Sequence, residues 1–246
     1  PDFVAISWYK VLGYPTGLGC LVARWPALAR LRRPWFAGGT ITAVSVQGDW
    51  HQMSPDEAAF EDGTLNFLAI PDVECGLSWI DSIGIDTVHT RVGCLTGWLL
   101  HRMSELRHSN GAQMLRVYGP TDERDRGGTI SFNVLDPDGR VVDDRLVARE
   151  SAARGFSLRT GCFCNPGAGE GAFGITKRAL RGSRRWRLHS LDEYLSLLGI
   201  PAAGAVRASF GIASTLEDAE RLLDFLGTTY LDRVPDRTGL VPRDRC

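Results

Sequence analysis

Apolar and polar positions along this chain recur first at one spacing and then at another, and the changes of period mark out its elements. Residues 2–9, opening on Phe3-Val4-Ala5-Ile6, read as a strand ending at Ser7-Trp8-Tyr9. A second strand covers 18–23, after the turn-rich Gly13-Tyr14-Pro15-Thr16-Gly17, so Lys10 falls at a strand exit beside a hairpin-like connection. A short helix is predicted over 26–33. Pro34 to Thr40 follows as a loop whose glycines let backbone approach a ligand or another subunit closely. Phe60-Glu61-Asp62-Gly63-Thr64 is a turn, with Asp62 or Thr64 placed to cap a helix over 66–83. Val88, Val92, Leu95, Leu99, Met103 and Leu106 recur at three- and four-residue spacing and predict a longer helix over 86–107, of the kind that links domains.

After Asn110-Gly111 the texture changes. Strands are predicted at 114–118 and 128–135, a helix at 144–154, and a strand at 156–160 that delivers the loop Arg159 to Gly167. A short amphipathic helix follows at 191–198. Residues 205–211 alternate as a strand with Arg207 on the face opposite Val206, and Thr215 caps a last helix over 216–227 with acidic residues in its first turn. This alternation predicts a small α+β domain over 111–232 packed on a domain over 1–110, with a loosely ordered polar tail over 233–246.

Composition narrows the function classes. The 246 residues, 43% of them hydrophobic, suffice for a substantial core. A formal charge of -1 gives no whole-chain argument for nucleic acid or an anionic membrane, and no apolar run approaches the roughly 18 residues of a membrane helix. No leader is recognisable, and the expected location is the cytoplasm. The chain opens at Pro1 without methionine and enters a strand-like run at once, so it is expected to be part of something longer. Six cysteines are too sparse for a disulfide scaffold, and Cys20, Cys75 and Cys94 read as core packing.

Two local features carry chemistry. Cys162 and Cys164 sit one residue apart between Arg159 and Asn165-Pro166-Gly167, a tight electropositive loop that suits a nucleophilic thiolate better than a pair of inert buried thiols. A zinc site needs about four ligands, and no histidine or further cysteine has ligand-like spacing around the pair, so no metal is expected. Of 28 basic residues only Lys10 and Lys177 are lysines. Lysine alone among basic side chains readily forms an imine, so its scarcity raises Lys10 above an ordinary solvated lysine. Arg207 is either a surface ion-pair residue or a fork for a substrate carboxylate. The basic run 177–187 is read first as a solvated face, with an acidic partner or a phosphate-bearing substrate as the alternatives.

Five segments, taken together and in order, carry a resemblance. They are Ser7 to Lys10 with Gly13 to Gly19, Arg33 to Thr40, Phe60 to Thr64, Arg159 to Gly167, and Val206 to Gly211. Over about residues 1–227 the chain resembles class V aminotransferase-fold enzymes dependent on pyridoxal 5'-phosphate, most of all the cysteine-desulfurase-like domain of the molybdenum cofactor sulfurase branch. The resemblance implies an α/β fold, the C-terminal portion of a fold-type I transferase: 1–110 as the end of the large cofactor-binding domain with its linker helix, then the small α+β domain. It implies that Lys10 binds the cofactor as an imine and moves the α-proton. Ser7 holds the cofactor phosphate, and Thr64 reaches the phosphate of the neighbouring subunit in a homodimer. Cys164 takes sulfur from L-cysteine as a persulfide, and Arg207, helped by Arg159, grips the substrate carboxylate. The role of Cys162 and the onward sulfur acceptor stay open. So do two other readings: a different class V activity such as a lyase or aminotransferase, and a non-catalytic remnant serving as an interaction module.

Overall fold

The computed structural model describes residues 1–181, 190–199, 204–236 and 238–241. The predicted basic run is therefore followed only to residue 181, and the end of the tail lies outside the described residues. The chain divides into two compact units, Pro1–Ile85 and Asp86–Cys246.

The first unit is built from hairpins and short helices. Strand β1 (Phe3–Ser7) pairs antiparallel with β2 (Gly19–Ala23), the last pair being Ser7 with Gly19. Between them runs a short helix, α1 (Trp8–Leu12), closed by the Gly13 N–H donating to the Tyr9 carbonyl. Lys10 is thus on a helical turn and not at the end of a strand. Pairing stops at Ser7, and beyond it the backbone satisfies its donors locally. Helix α2 (Trp25–Leu28) is shorter than the predicted 26–33, with Pro26 in its first turn. A second hairpin joins β3 (Ile41–Ser45) to β4 (Trp50–Met53), and α3 (Ile70–Ile83) closes the unit.

Neither Asp62 nor Thr64 caps α3, which starts after Ala69 without a side-chain cap. Thr40 and Ala59 are the unit's only buried residues, whereas Trp25, Trp35, Phe67, Leu68 and Trp79 are exposed. Apolar surface on this scale is what an interaction covers. The expectation that Cys75 packs in a core is overturned for the same reason, because α3 buries none of its residues.

The second unit has a core. Helix α4 (Ile85–Glu105) follows the predicted periodicity and buries Leu95, Leu99, Leu100 and Met103. These side chains belong to the second unit's cluster, so the division by contacts falls at the start of α4, whereas the sequence boundary of 110/111 lies beyond its end. Cys94, on the same helix, is exposed and not core.

Strands β5 (Leu115–Tyr118), β6 (Thr129–Val134), β7 (Arg159–Gly161) and β8 (Ala205–Ser209) form one antiparallel sheet in the order β5-β6-β8-β7. Ile130, Phe132, Val134, Val206 and Ala208 form its apolar face. They cluster with α4, with Leu146 and Val147 of α5 (Asp144–Ala153), and with Leu222, Phe225 and Leu226 of α9 (Leu216–Tyr230). Three further helices, α6 (Pro166–Ala172), α7 (Lys177–Leu180) and α8 (Leu191–Leu198), lie between β7 and β8 in sequence.

Two polar devices finish the core. Thr215 and Asp218 form a reciprocal capping box at the start of α9. On α5, Glu150 accepts from the Tyr230 hydroxyl at 2.7 Å and from Arg233 at 2.7 and 3.1 Å. Burial disfavours the charged form of Glu150, but these hydrogen bonds outweigh it and hold the carboxyl below its ordinary range. Thr215→Ala is expected to lower unfolding free energy by about 1 kcal/mol, measured by urea denaturation. A depressed folded-state value means that Glu150 adds stability above its unfolded value, and that this is lost as pH falls through the folded one. Glu150→Gln should therefore flatten the acidic limb of a stability-versus-pH curve, and an unchanged limb would count against this linkage.

Candidate active site

The expected site residues fall in both units. In the first, Ser7 precedes α1 in extended conformation without capping it, and Lys10 is exposed on α1 with Nζ 5.6 Å from the Tyr9 ring centroid. Among the described residues Lys10 has no ion-pair partner, so its amine is open to a ligand. The turn of helix that carries it is anchored through Leu12, which packs against α3 at Gly76. A Cβ built there would lie 2.6 Å from Leu12 Cδ1, so any larger residue would require the Leu12 side chain to move.

Arg33 binds both carboxylate oxygens of Asp62 at 2.7 Å, donates to the Ala59 carbonyl and stacks 5.3 Å from the Trp35 ring. The hydrogen bond from Arg33, with its charge, holds the Asp62 carboxyl below the usual range. Asp62 thus fastens the 60–64 turn to the Arg33 segment, which is why it caps nothing. Thr64 is exposed on that turn.

In the second unit, strand register assembles the site. Tyr118 pairs with Ser131, Ser131 with Arg207, and Arg207 with Arg159. Directly paired residues share a face, so these four form a transverse row on the side of the sheet away from the core. The Arg159–Arg207 pair sets like charges opposite each other, and among the described residues neither makes an ion pair. Arg207 Nε is buried with no hydrogen-bond partner, and the guanidinium lies 4.9 Å from the Phe163 ring centroid. A cavity of about 430 Å³ opens here, lined by Tyr118, Ser131, Phe163, Phe173 and Arg207 among others. Burial raises the Tyr118 phenol above its ordinary value.

β7 leads into a tight turn in which the Asn165 N–H donates to the Cys162 carbonyl at 3.0 Å. Its central residues, Phe163 and Cys164, have φ of 53° and 56°. Both are left-handed, as in turns that ordinarily take asparagine and glycine, at a cost of about 1–2 kcal/mol for each non-glycine residue. β7 sits tightly against the chain entering β8, since a Cβ on Gly204 would lie 2.5 Å from Gly161 Cα. Asn165 caps α6, accepting from the Ala168 N–H at 3.1 Å, and Pro166 starts that helix. Cys164 is a free, exposed thiol, and Cys162 is disulfide-bonded.

Within the second unit, a guanidinium pair with no ion-pair partner among the described residues lies on the strands beside an exposed thiol. The aminotransferase class-V family model matches residues 1–222. The chain belongs to that family. It is 35% identical over 243 residues to a molybdenum cofactor sulfurase of Solanum lycopersicum, covering 98% of this chain and 30% of that protein. It is likewise 35% identical over 258 residues to a molybdenum cofactor sulfurase of Bos taurus, covering 99% and 29%. Among solved structures, a cysteine desulfurase from Thermococcus onnurineus NA1 in its apo form superposes with a TM-score of 0.66 at 25% identity, covering 93% of this chain and 47% of that one. The fold is accordingly the mixed α/β fold of fold-type I enzymes, and the chain spans less than a third of the length of these sulfurase relatives.

Sequence reasoning named Arg159, Cys164 and Arg207 but missed Tyr118, Ser131 and Phe163. Strand alternation places Ser131 on a polar face; only the register shows that it stands beside Arg207. Because the two arginines repel across β7 and β8, Arg159→Gln is expected to leave stability unchanged or raise it by up to about 0.5 kcal/mol in urea denaturation. A clear loss of stability would show that Arg159 is held by a favourable contact.

Proposed function

We propose that this protein is a pyridoxal-phosphate-dependent cysteine desulfurase that moves sulfur from L-cysteine onto Cys164 as a persulfide. The observation that carries the reading is the unpaired Arg207, with Arg159 opposite it on the strand that leads to the free Cys164 thiol. Two guanidiniums without a carboxylate of their own among the described residues suit the carboxylate of an amino acid.

The residues present fit the cofactor: Lys10 offers an amine free of ion pairs, and Ser7 a hydroxyl with no capping duty. Lys10 holds the cofactor through its amine and shuttles the proton at the substrate α-carbon. Ser7 takes its phosphate, and Thr64 that of the neighbouring subunit of a homodimer. Bound pyridoxal phosphate supplies the electron sink for the bonds broken at the substrate. Arg207 and Arg159 orient the carboxylate, and the Cys164 thiolate attacks the substrate sulfur. The sulfur–Cβ bond breaks as the sulfur–sulfur bond forms, and Cβ takes a proton. L-cysteine and a thiol thus become alanine and a persulfide, with sulfur oxidised and carbon reduced. The names of the sulfurase relatives make molybdenum cofactor the first acceptor to test.

In the protein supplied with pyridoxal phosphate, L-cysteine is expected to yield alanine and one added sulfur on the Cys164 peptide by mass spectrometry. Cys164→Ala should abolish that sulfur, and Arg207→Ala should lower kcat/KM by roughly 10–150-fold. Lys10→Ala should lose the near-visible absorbance that appears on adding cofactor. Sulfur release that persists at full rate in Cys164→Ala would overturn the assignment and favour a lyase.

A further inference from the structure

We propose that Phe163 is a positioning residue that ties the carboxylate-binding Arg207 to the turn presenting Cys164. The inference rests on the reading of those two residues given above. Phe163 and Cys164 are adjacent at the tip of one turn, yet Phe163 is half-buried and lines the cavity whereas Cys164 is exposed. The left-handed φ of both residues, 53° and 56°, accompanies this division. One side chain goes to the sheet and the other to solvent.

The Phe163 ring lies 4.9 Å from the Arg207 guanidinium, and this is the contact that holds a side chain without an ion pair. Arg159 opposite pushes Arg207 away, and Ser131 on its other side is too short to clamp it. A ring face attracts the cation without consuming its N–H donors, so Arg207 stays oriented with hydrogen-bonding capacity left for a ligand carboxylate. The same contact pins one of the two left-handed residues of the turn. Moving the ring therefore moves both the carboxylate clamp and the thiol's presentation. Glycine or asparagine would relax the turn, so a left-handed phenylalanine there costs the fold and points to a use for its ring.

The test is steady-state kinetics on the cofactor-loaded protein, together with thermal unfolding of each variant. Phe163→Leu keeps apolar bulk and removes the ring; it should raise KM for L-cysteine by roughly three- to twentyfold, with kcat within about twofold and the melting temperature unchanged. Phe163→Tyr, which keeps the ring, should restore KM to within about twofold of the parent. Phe163→Gly, which relaxes the turn and removes the ring, should raise KM and also slow labelling of Cys164 by sulfur without lowering the melting temperature. Equal KM in the parent and in Phe163→Leu would overturn the proposal, as would a Phe163→Tyr variant no better than leucine. If Arg207→Ala and Cys164→Ala are themselves without effect, the underlying reading fails. If they abolish turnover while Phe163→Leu leaves KM unchanged, only the role of Phe163 fails.

Discussion

The antiparallel register of the four-stranded sheet is the constraint on which the second unit depends. Val206 faces the core and Arg207 the opposite side, and β8 is hydrogen-bonded on both edges, to β6 and β7. A slip of one residue would bury the guanidinium and expose Val206, so core burial fixes the site's geometry as firmly as it fixes the fold. Phe132 and Val206, both fully buried, are the side chains that enforce it. The hydrophobic effect, which is not directional, thus places a directional row of Tyr118, Ser131, Arg207 and Arg159 through the two-residue period of a strand.

The first unit is organised differently. It holds its pieces by local devices: the β1–β2 pairing, the seat of Leu12 on Gly76, and the bidentate pair of Arg33 with Asp62. With only Thr40 and Ala59 buried, it leaves much of its apolar surface uncovered by the described residues. Lys10 therefore stands exposed on a short helical turn. That fits a residue whose surroundings are completed by other groups.

How much of this was legible in the sequence follows from the range of the interactions involved. The 86–107 periodicity, the Thr215 cap and the Val206/Arg207 alternation are local, and the structure places them within a few residues of expectation. The same holds for the paired thiols, whose flanking residues marked the loop. Lys10 was put at a strand exit because the apolar run continues through Trp8 and Tyr9, whereas pairing with β2 ends at Ser7. Asp62 was given a capping role because its partner, Arg33, lies 29 residues away. Cys75 and Cys94 lie in apolar stretches but on helix faces that nothing described covers. The face of Phe163 on Arg207 depends on two left-handed residues that no propensity would have assigned to phenylalanine and cysteine.

The unpaired arginines also bear on how this sequence can drift. Ser131 stands beside Arg207 in the row, two strands from Arg159. A single change to aspartate there would give the guanidiniums an internal counter-ion, relieve their repulsion and strengthen the fold. It would also engage the guanidiniums internally, so a substitution that favours stability is one that removes their capacity to take an external anion. At the sheet positions flanking such a pair, hydroxyl and amide side chains leave the guanidiniums open, whereas a carboxylate closes them.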